Sequence, residues 1–465
     1  MRLAAIDSLA APFAATDRRA ALAAATRTAA TLAFYGAIVL SPFRARIVLD
    51  ERPVPPIFGD YTNLLLFWNE ILVVAVLVLW AASLLLLPRR IDLGPLLIRL
   101  PVAVIAIAVF LAVPFSTERS LALFNAVTIV GFIALALYVL NEVKSVSQVL
   151  PAVALMMFVQ AVVAITQVVS QEEFGLTAIG EFDLDPAVSG VSIVWTNDAP
   201  RLLRAYGLSD HPNILGGVLA AALLVVLAGL TRYRDGTMAI AGGVFAIGVA
   251  AVLVTFSRAA ALGLGAGLAF ALMIVLVRRD WNTLGLWLAA CVVAFLVAAP
   301  LVRPYTPYLS ARVNPTAQPV GSTEERALSE RSALARNTNE IFVGHPATGV
   351  GAGVLPTAMK EAFPDFTYHY SPAHVVILVV AAETGILGAF AYGVLLIAPW
   401  LLLWLRRDRL TPELIGISGA VLTLTVLGLF DYYTWSLMSG RLWFWLVLGL
   451  WVVAYRRSEK QAADA

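Results

Sequence analysis

Charge is scarce in this sequence. Only 13% of its 465 residues are Asp, Glu, Lys or Arg, where an ordinary soluble domain carries about 25%. Hydrophobic residues make up 60%, and the mean hydropathy is +0.85. So little polar side-chain surface cannot cover a globule of this size, which excludes a soluble enzyme and requires lipid as the covering solvent. Cysteine occurs once, as Cys291 inside an apolar run, so a disulfide framework is excluded. Histidine is nearly as rare, at His211, His345, His369 and His374. No Cys pair and no His-Glu-x-x-His spacing is present, so a zinc centre has nothing to rest on, and neither a metal nor a cofactor is expected. The net charge of +2 argues neither for nor against nucleic acid, and no nucleic-acid partner is expected. No cleavable signal peptide is evident. The Ala-rich first 28 residues, with Arg18, Arg19 and Arg27, read as a cytoplasmic lead-in to a first span. Nor is there an internal repeat of solenoid period.

Apolar length, by contrast, is abundant. A bilayer core about 30 Å thick takes roughly 20 apolar residues of helix. Qualifying segments lie near 29–49, 63–87, 95–113, 119–140, 148–169, 212–230, 237–256, 258–277, 281–302, 372–405, 411–430 and 436–455. This predicts an all-α polytopic membrane protein of about twelve transmembrane helices. Basic residues of short connections mark the cytoplasmic side. Arg89-Arg90, Lys144, Arg232, Arg234, Arg278-Arg279, Arg406-Arg407, Arg409 and Arg456-Arg457 all fall on one side of a twelve-span alternation, so both termini are expected in the cytoplasm.

Two connections, 170–211 and 303–371, are too long for turns, and the alternation places both outside. Three parts follow: spans one to nine with the first outer loop over 1–303, a large extracytoplasmic loop over 304–371, and the last spans with a cytoplasmic tail over 372–465. The second loop opens with Pro304, Pro307, Pro315 and Pro319. It continues as a polar, helix-favouring stretch from Ser322 to Phe342, which carries a capping box at Ser322-Thr323-Glu324-Glu325. We expect that stretch to form an external helix over the membrane domain. The tenth apolar segment is longer than one span needs. Glu383-Thr384-Gly385 interrupts it, which predicts a short outer helix over Pro372–Ala382 and a true span over Gly385–Leu405. Glu383 is then spared mid-bilayer, where a carboxylate costs about 2.5 kcal/mol or more.

All four histidines fall on the outward side of this topology. Arg258, in the turn Thr255-Phe256-Ser257-Arg258, is the only charge between two apolar spans; it either snorkels to headgroups or holds an anion at the mouth of an outward cavity. Arg204-Ala205-Tyr206-Gly207 leads into Ser209-Asp210-His211-Pro212-Asn213, where Ser209 or Asp210 can cap the next helix and His211 is either part of that cap or a ligand contact. Gly349-Val350-Gly351-Ala352-Gly353 follows Gly344-His345-Pro346, and such a turn can offer amides to phosphate. His374 opens an apolar helix, a place for a general base or for an interfacial aromatic, and His369 between two tyrosines fits the interfacial role better. If phosphate is the ligand, arginines must supply the countercharge.

Taken in order, these motifs resemble the O-antigen ligase and polymerase superfamily of integral membrane glycosyltransferases over about two thirds of the chain. The similar pieces are Arg204 to Asn213, Phe256-Ser257-Arg258, Arg331 fifteen residues before Pro346, the Gly349–Gly353 turn, and His374 followed by Leu378, Glu383, Gly385 and Gly388. Two positions depart from the family pattern: Val375 stands where Asn is common, and no Trp lies near position 335. The resemblance implies a GT-C-like fold and a metal-independent, inverting transfer at the outer leaflet of the inner membrane. The donor would be an undecaprenyl-pyrophosphate-linked glycan, and the acceptor lipid A–core, another glycan or a protein. It further implies that Arg258 and Arg331 hold the pyrophosphate and His374 takes the acceptor proton. Arg204, His211, His345, Gly349, Gly351 and Glu383 would contact substrate. A transporter or flippase for an anionic solute or lipid also fits twelve spans and outward arginines, but should show paired helix breaks or internal symmetry. Neither is clear in the sequence.

Overall fold

The computed structural model describes residues 4–185, 190–196, 200–231, 236–313 and 323–463. The expected Arg232, Arg234, Pro315, Pro319 and the capping residue Ser322 lie outside these. Helices α1 (Ala4–Val39), α2 (Trp68–Leu86), α3 (Leu96–Ala112), α4 (Arg119–Glu142) and α5 (Leu150–Ser170) precede the first long loop. After it come α6 (Pro212–Leu230), α7 (Gly236–Val254), α8 (Arg258–Val277) and α9 (Trp281–Val302). The second loop holds α10 (Thr306–Val313), α11 (Thr323–Gly344) and α12 (Leu355–Ala362). Then follow α13 (Val376–Leu405), α14 (Pro412–Phe430), the single turn α15 (Tyr433–Ser436) and α16 (Met438–Ala463). Among the described residues, eleven helices are long and apolar enough to cross a membrane, and α7 adds a shorter apolar run over Met238–Val254. The chain is an all-α polytopic membrane protein.

Burial ranks the helices. In α6 every residue except Asn213 is buried, and α16 is buried throughout its apolar length. Helices α5, α7, α8, α14 and α16 surround α6. Helices bury apolar surface just as well in lipid, so close approach depends on small residues at the contact. Helices α8 and α14 meet in this way. A Cβ on Gly267 would come within 2.5 Å of the Gly419 carbonyl oxygen, and Thr423 Oγ1 donates to Gly263 O at 2.9 Å.

Two expected spans prove shorter than their apolar segments. Arg46–Asp50 (β1) pairs antiparallel with Leu64–Phe67 (β2), so the ends of segments 29–49 and 63–87 form a hairpin between α1 and α2. Hydropathy cannot separate a short apolar strand from the first turn of a span. A second small pair joins Ile193–Val194 to Leu202–Leu203 in the first long loop. The helix expected over Ser322–Phe342 is present as α11, and Leu334, Thr338 and Ile341 form its buried stripe. It packs against α12 and α13.

The tenth apolar segment breaks where its sequence suggests. Within α13, Gly385 adopts φ 69° and ψ −171°. Its first piece begins at Val376 rather than Pro372. The break releases the carbonyls of Ala382 and Glu383, and these accept from the amides of Val350 and Gly351 at 2.9 and 3.0 Å. The amide of Ile386 donates to Pro346 O at 2.8 Å. The 346–351 turn thus closes the gap in the helix. A Cβ at Gly385 would lie 2.5 Å from the Ala347 carbonyl oxygen and 2.9 Å from that of Pro346, in a backbone region that L-residues avoid. Gly385→Ala is therefore expected to cost about 1–3 kcal/mol. Thermal unfolding of the detergent-solubilised protein should show the loss, whereas Gly393→Ala, with open space around its Cβ, should leave the transition in place.

Candidate active site

Two adjoining cavities occupy the region between the first long loop, the β1–β2 hairpin, α11 and the segment before α13. The first encloses about 370 Å³ and is lined by Arg204, His211, Arg258, Arg312, Arg331 and His374, with His369 at its edge. The second encloses about 420 Å³ and is lined by Arg46, Asp60, Glu70, Glu383, Asp431 and Arg441 among others. Phe58, Tyr61, His211, Asn213, His374 and Tyr432 line both, so these side chains form the partition.

Local structure places each group. His211 is the N-cap of α6: its backbone is extended at φ −158°, ψ 145°, and Nδ1 accepts the amide of Asn213 at 3.1 Å. Pro212 suits the first helical position, where no amide partner is needed. The cap is therefore the histidine itself, not Ser209 or Asp210. Asp210 instead accepts from Arg44 and Arg46 at 3.1 and 2.9 Å. At α8, Ser257 Oγ accepts the amide of Ala260 at 3.3 Å, which sets Arg258 at the helix start facing the first cavity. Arg204 is only 5% exposed, and its guanidinium donates to Thr255 O, Ser192 Oγ and Asn213 Oδ1 at 2.8, 2.8 and 2.6 Å. It braces the wall of the cavity. Arg331 is half-buried and makes no hydrogen bond to the described residues, which leaves its planar fork facing the cavity.

Burial above all keeps His211 and His374 neutral. Burial, then the nearby Arg204, His374, Arg331 and Arg312, pushes His211 down to about 3. His374 is lowered too, by burial first; Asp431 opposes this and Arg331 adds to it. Asp431 is held by Asn213 Nδ2 at 3.1 Å and by the amide of Tyr432 at 2.9 Å. The His374 ring meets Tyr432 edge-on at 5.0 Å, and the hydroxyls of Tyr432 and Tyr61 share a 2.5 Å hydrogen bond. Burial pushes both phenols well up, so they stay protonated. A neutral imidazole beside guanidinium groups can accept a proton at ordinary pH while the guanidiniums hold an anion.

Of the residues singled out from sequence, Arg204, His211, Arg258, Arg331 and His374 meet in the first cavity, and Glu383 lines the second. His345, Gly349 and Gly351 do not join them. His345 is exposed, with Nδ1 3.2 Å from Ile341 O, and the Gly349 amide donates to His345 O. The Val350 and Gly351 amides are spent on α13, so this turn completes a helix rather than offering its amides to phosphate. Glu383 is fully buried, and Oε2 accepts Trp435 Nε1 at 2.8 Å. His369, expected at the lipid interface, packs on Phe58 at 5.0 Å and faces the first cavity. Sequence reasoning missed Tyr61, Asp431 and Tyr432. The polar step Asp431-Tyr432-Tyr433 between two apolar runs was the available signal. The chain's single Asp-x-Asp, Asp183-Leu184-Asp185, lines neither cavity, and both its aspartates are exposed.

A histidine held neutral in the fold but titrating near 6.5 when unfolded destabilises the protein as pH falls, because the unfolded chain then binds more protons. Stability is fully present above pH 6.5. Between 6.5 and about 3 it should decline by up to about 1.4 kcal/mol per pH unit for His211. Melting temperatures across pH 4–7 should show this slope, and His211→Gln should flatten it.

No curated protein matches the chain. Residues 243–393, about a third of its length, match the family model described as O-Antigen ligase. That region runs from within α7 into α13 and carries Arg258, Arg331, His374 and Glu383. Over these residues the chain is similar to the O-antigen ligase family, in agreement with the resemblance carried by its motifs.

Proposed function

We propose that the protein transfers a glycan from a polyprenyl-pyrophosphate carrier, undecaprenyl pyrophosphate, to an acceptor hydroxyl at the outer leaflet of the inner membrane. The observation that carries this reading is the convergence of Arg258, Arg331 and a neutral His374 on one cavity. Arg258 and Arg331, with Arg312 beside them, grip the diphosphate, each charge-assisted hydrogen bond contributing roughly 1.5–3 kcal/mol. The acceptor hydroxyl gives its proton to His374 as its oxygen bonds to the anomeric carbon. The bond from that carbon to the diphosphate oxygen breaks, and the arginines stabilise the charge on the departing group. Displacement from the opposite face inverts the anomeric centre. Arg204 and His211 support this arrangement from the cavity wall, and no step calls on a metal. The acceptor is a glycan or lipid A–core in this scheme.

Removing the base should slow transfer by about 100-fold or more. Purified His374→Ala, given lipid-linked glycan and acceptor, should retain donor binding within a few-fold yet form little product by mass; normal yield would remove His374 from the mechanism. Arg258→Lys is expected to lose both donor affinity and rate, since an ammonium cannot fork onto two phosphate oxygens. Wild-type behaviour in that variant would favour a headgroup-anchoring role for Arg258.

A further inference from the structure

The two cavities differ in the charge they present across their shared wall. Among the described residues, the first is lined by four guanidiniums (Arg204, Arg258, Arg312 and Arg331) and the carboxylate of Glu330. The second has five carboxyl groups (Asp60, Glu70, Asp210, Glu383 and Asp431) against two guanidiniums. Both of those are already committed. Arg46 is bonded to Asp210 and Asp60, and Arg441 to the carbonyl of Trp435 and to Asn125 Oδ1. Asp60 and Asp210 are held in the same ion pairs, so an anion entering the second cavity would meet acidic side chains and, among the described residues, no guanidinium without a partner. The rest of the lining is of the kind that hydroxyl-rich ligands use: the amides Asn63, Asn125 and Asn213, and the rings of Phe58, Tyr61 and Phe124. Glu383 belongs to the wall of this cavity: it is wholly buried, its Oε2 accepts from Trp435 Nε1, and the amides of Gly353 and Leu355 face its carboxyl group. His374 borders both spaces, where a base must stand to take a proton from one reactant as it attacks the other.

We infer that the second cavity is the acceptor subsite, and that it takes a saccharide whose accepting end carries hydroxyl or amino groups but no phosphate. This rests on the glycosyl-transfer reading for the role of His374. The charge asymmetry then sorts the reactants: the diphosphate of the donor is held on one side of the partition and repelled on the other.

The test separates binding from chemistry. The full chain in detergent is titrated with a panel of neutral oligosaccharides and with the same sugars bearing a phosphate monoester, while polyprenyl diphosphate is titrated separately. At least one neutral sugar should bind saturably, and its phosphorylated form at least tenfold more weakly. Thr128→Trp fills the second cavity and should weaken neutral-sugar binding tenfold or more, with diphosphate affinity within twofold. Asp60→Lys, at a half-exposed position on the cavity rim, should narrow the preference against phosphate and serves as a check outside the transmembrane helices. Equal binding of both sugar forms, absence of binding by every neutral sugar, or an unchanged sugar affinity in folded Thr128→Trp would overturn the assignment. The expected sugar binding in a wild-type protein that forms no product from donor and acceptor would count against the glycosyl-transfer reading and leave the subsite standing.

Discussion

A helix that stops bonding to itself inside an apolar bundle must find other partners for its freed carbonyls and amides. The architecture around the site depends on how α13 meets that requirement. Its break at Gly385 is closed by amides from Val350 and Gly351 and by the carbonyl of Pro346, so the turn that follows α11 is locked to the start of the span. An unsatisfied backbone group in this setting costs several kcal/mol, which makes the junction rigid. Because the junction is rigid, the buried Glu383 can reach across to Trp435, and the short α15 is fixed beside the α13 start. Tyr432 then stands 5.0 Å from His374, and Asp431 lies close behind.

The same economy governs the cavities. Charged groups are retained in this apolar chain where they have partners or face an enclosed polar space. Arg204 is spent on three oxygens of the wall, and Asp210 on Arg46 of the hairpin and Arg44 just before it. Arg331 is left facing the first cavity. Burial also explains the imidazoles. Desolvation opposes protonation of both His211 and His374; the surrounding guanidiniums add to this at His211, whereas at His374 the nearby Asp431 works against it. One consequence is a histidine pair that resists becoming cationic beside an anion-binding surface.

Much of this was legible before any coordinates. Apolar runs of about 20 residues marked the spans because lipid requires them. Arg258 stood out as a lone charge between spans, and Glu383-Thr384-Gly385 as an interruption of an overlong one. His211 was rightly seen beside a helix start, although the histidine proved to be the cap. The hairpin at Arg46–Asp50 and Leu64–Phe67 was hidden because short apolar strands share the composition of a span. The glycine turn was misread: its amides could serve phosphate or a broken helix equally well, and sequence carries no record of which acceptor lies opposite.

The sequence by itself determined that this is a polytopic membrane protein, where its spans lie, where α13 breaks, and which few polar residues could carry chemistry. Those are consequences of composition and local backbone preference, and they need no knowledge of neighbours. Only the tertiary structure decided that residues from the hairpin, the first loop, α8, α11 and the α13 start share one enclosed space, and that a carboxyl-lined cavity adjoins an arginine-lined one. Such proximity depends on long-range packing of helices against α6. A guanidinium at position 258 and an imidazole at position 374 become one site only when the folded chain brings them to the same cavity.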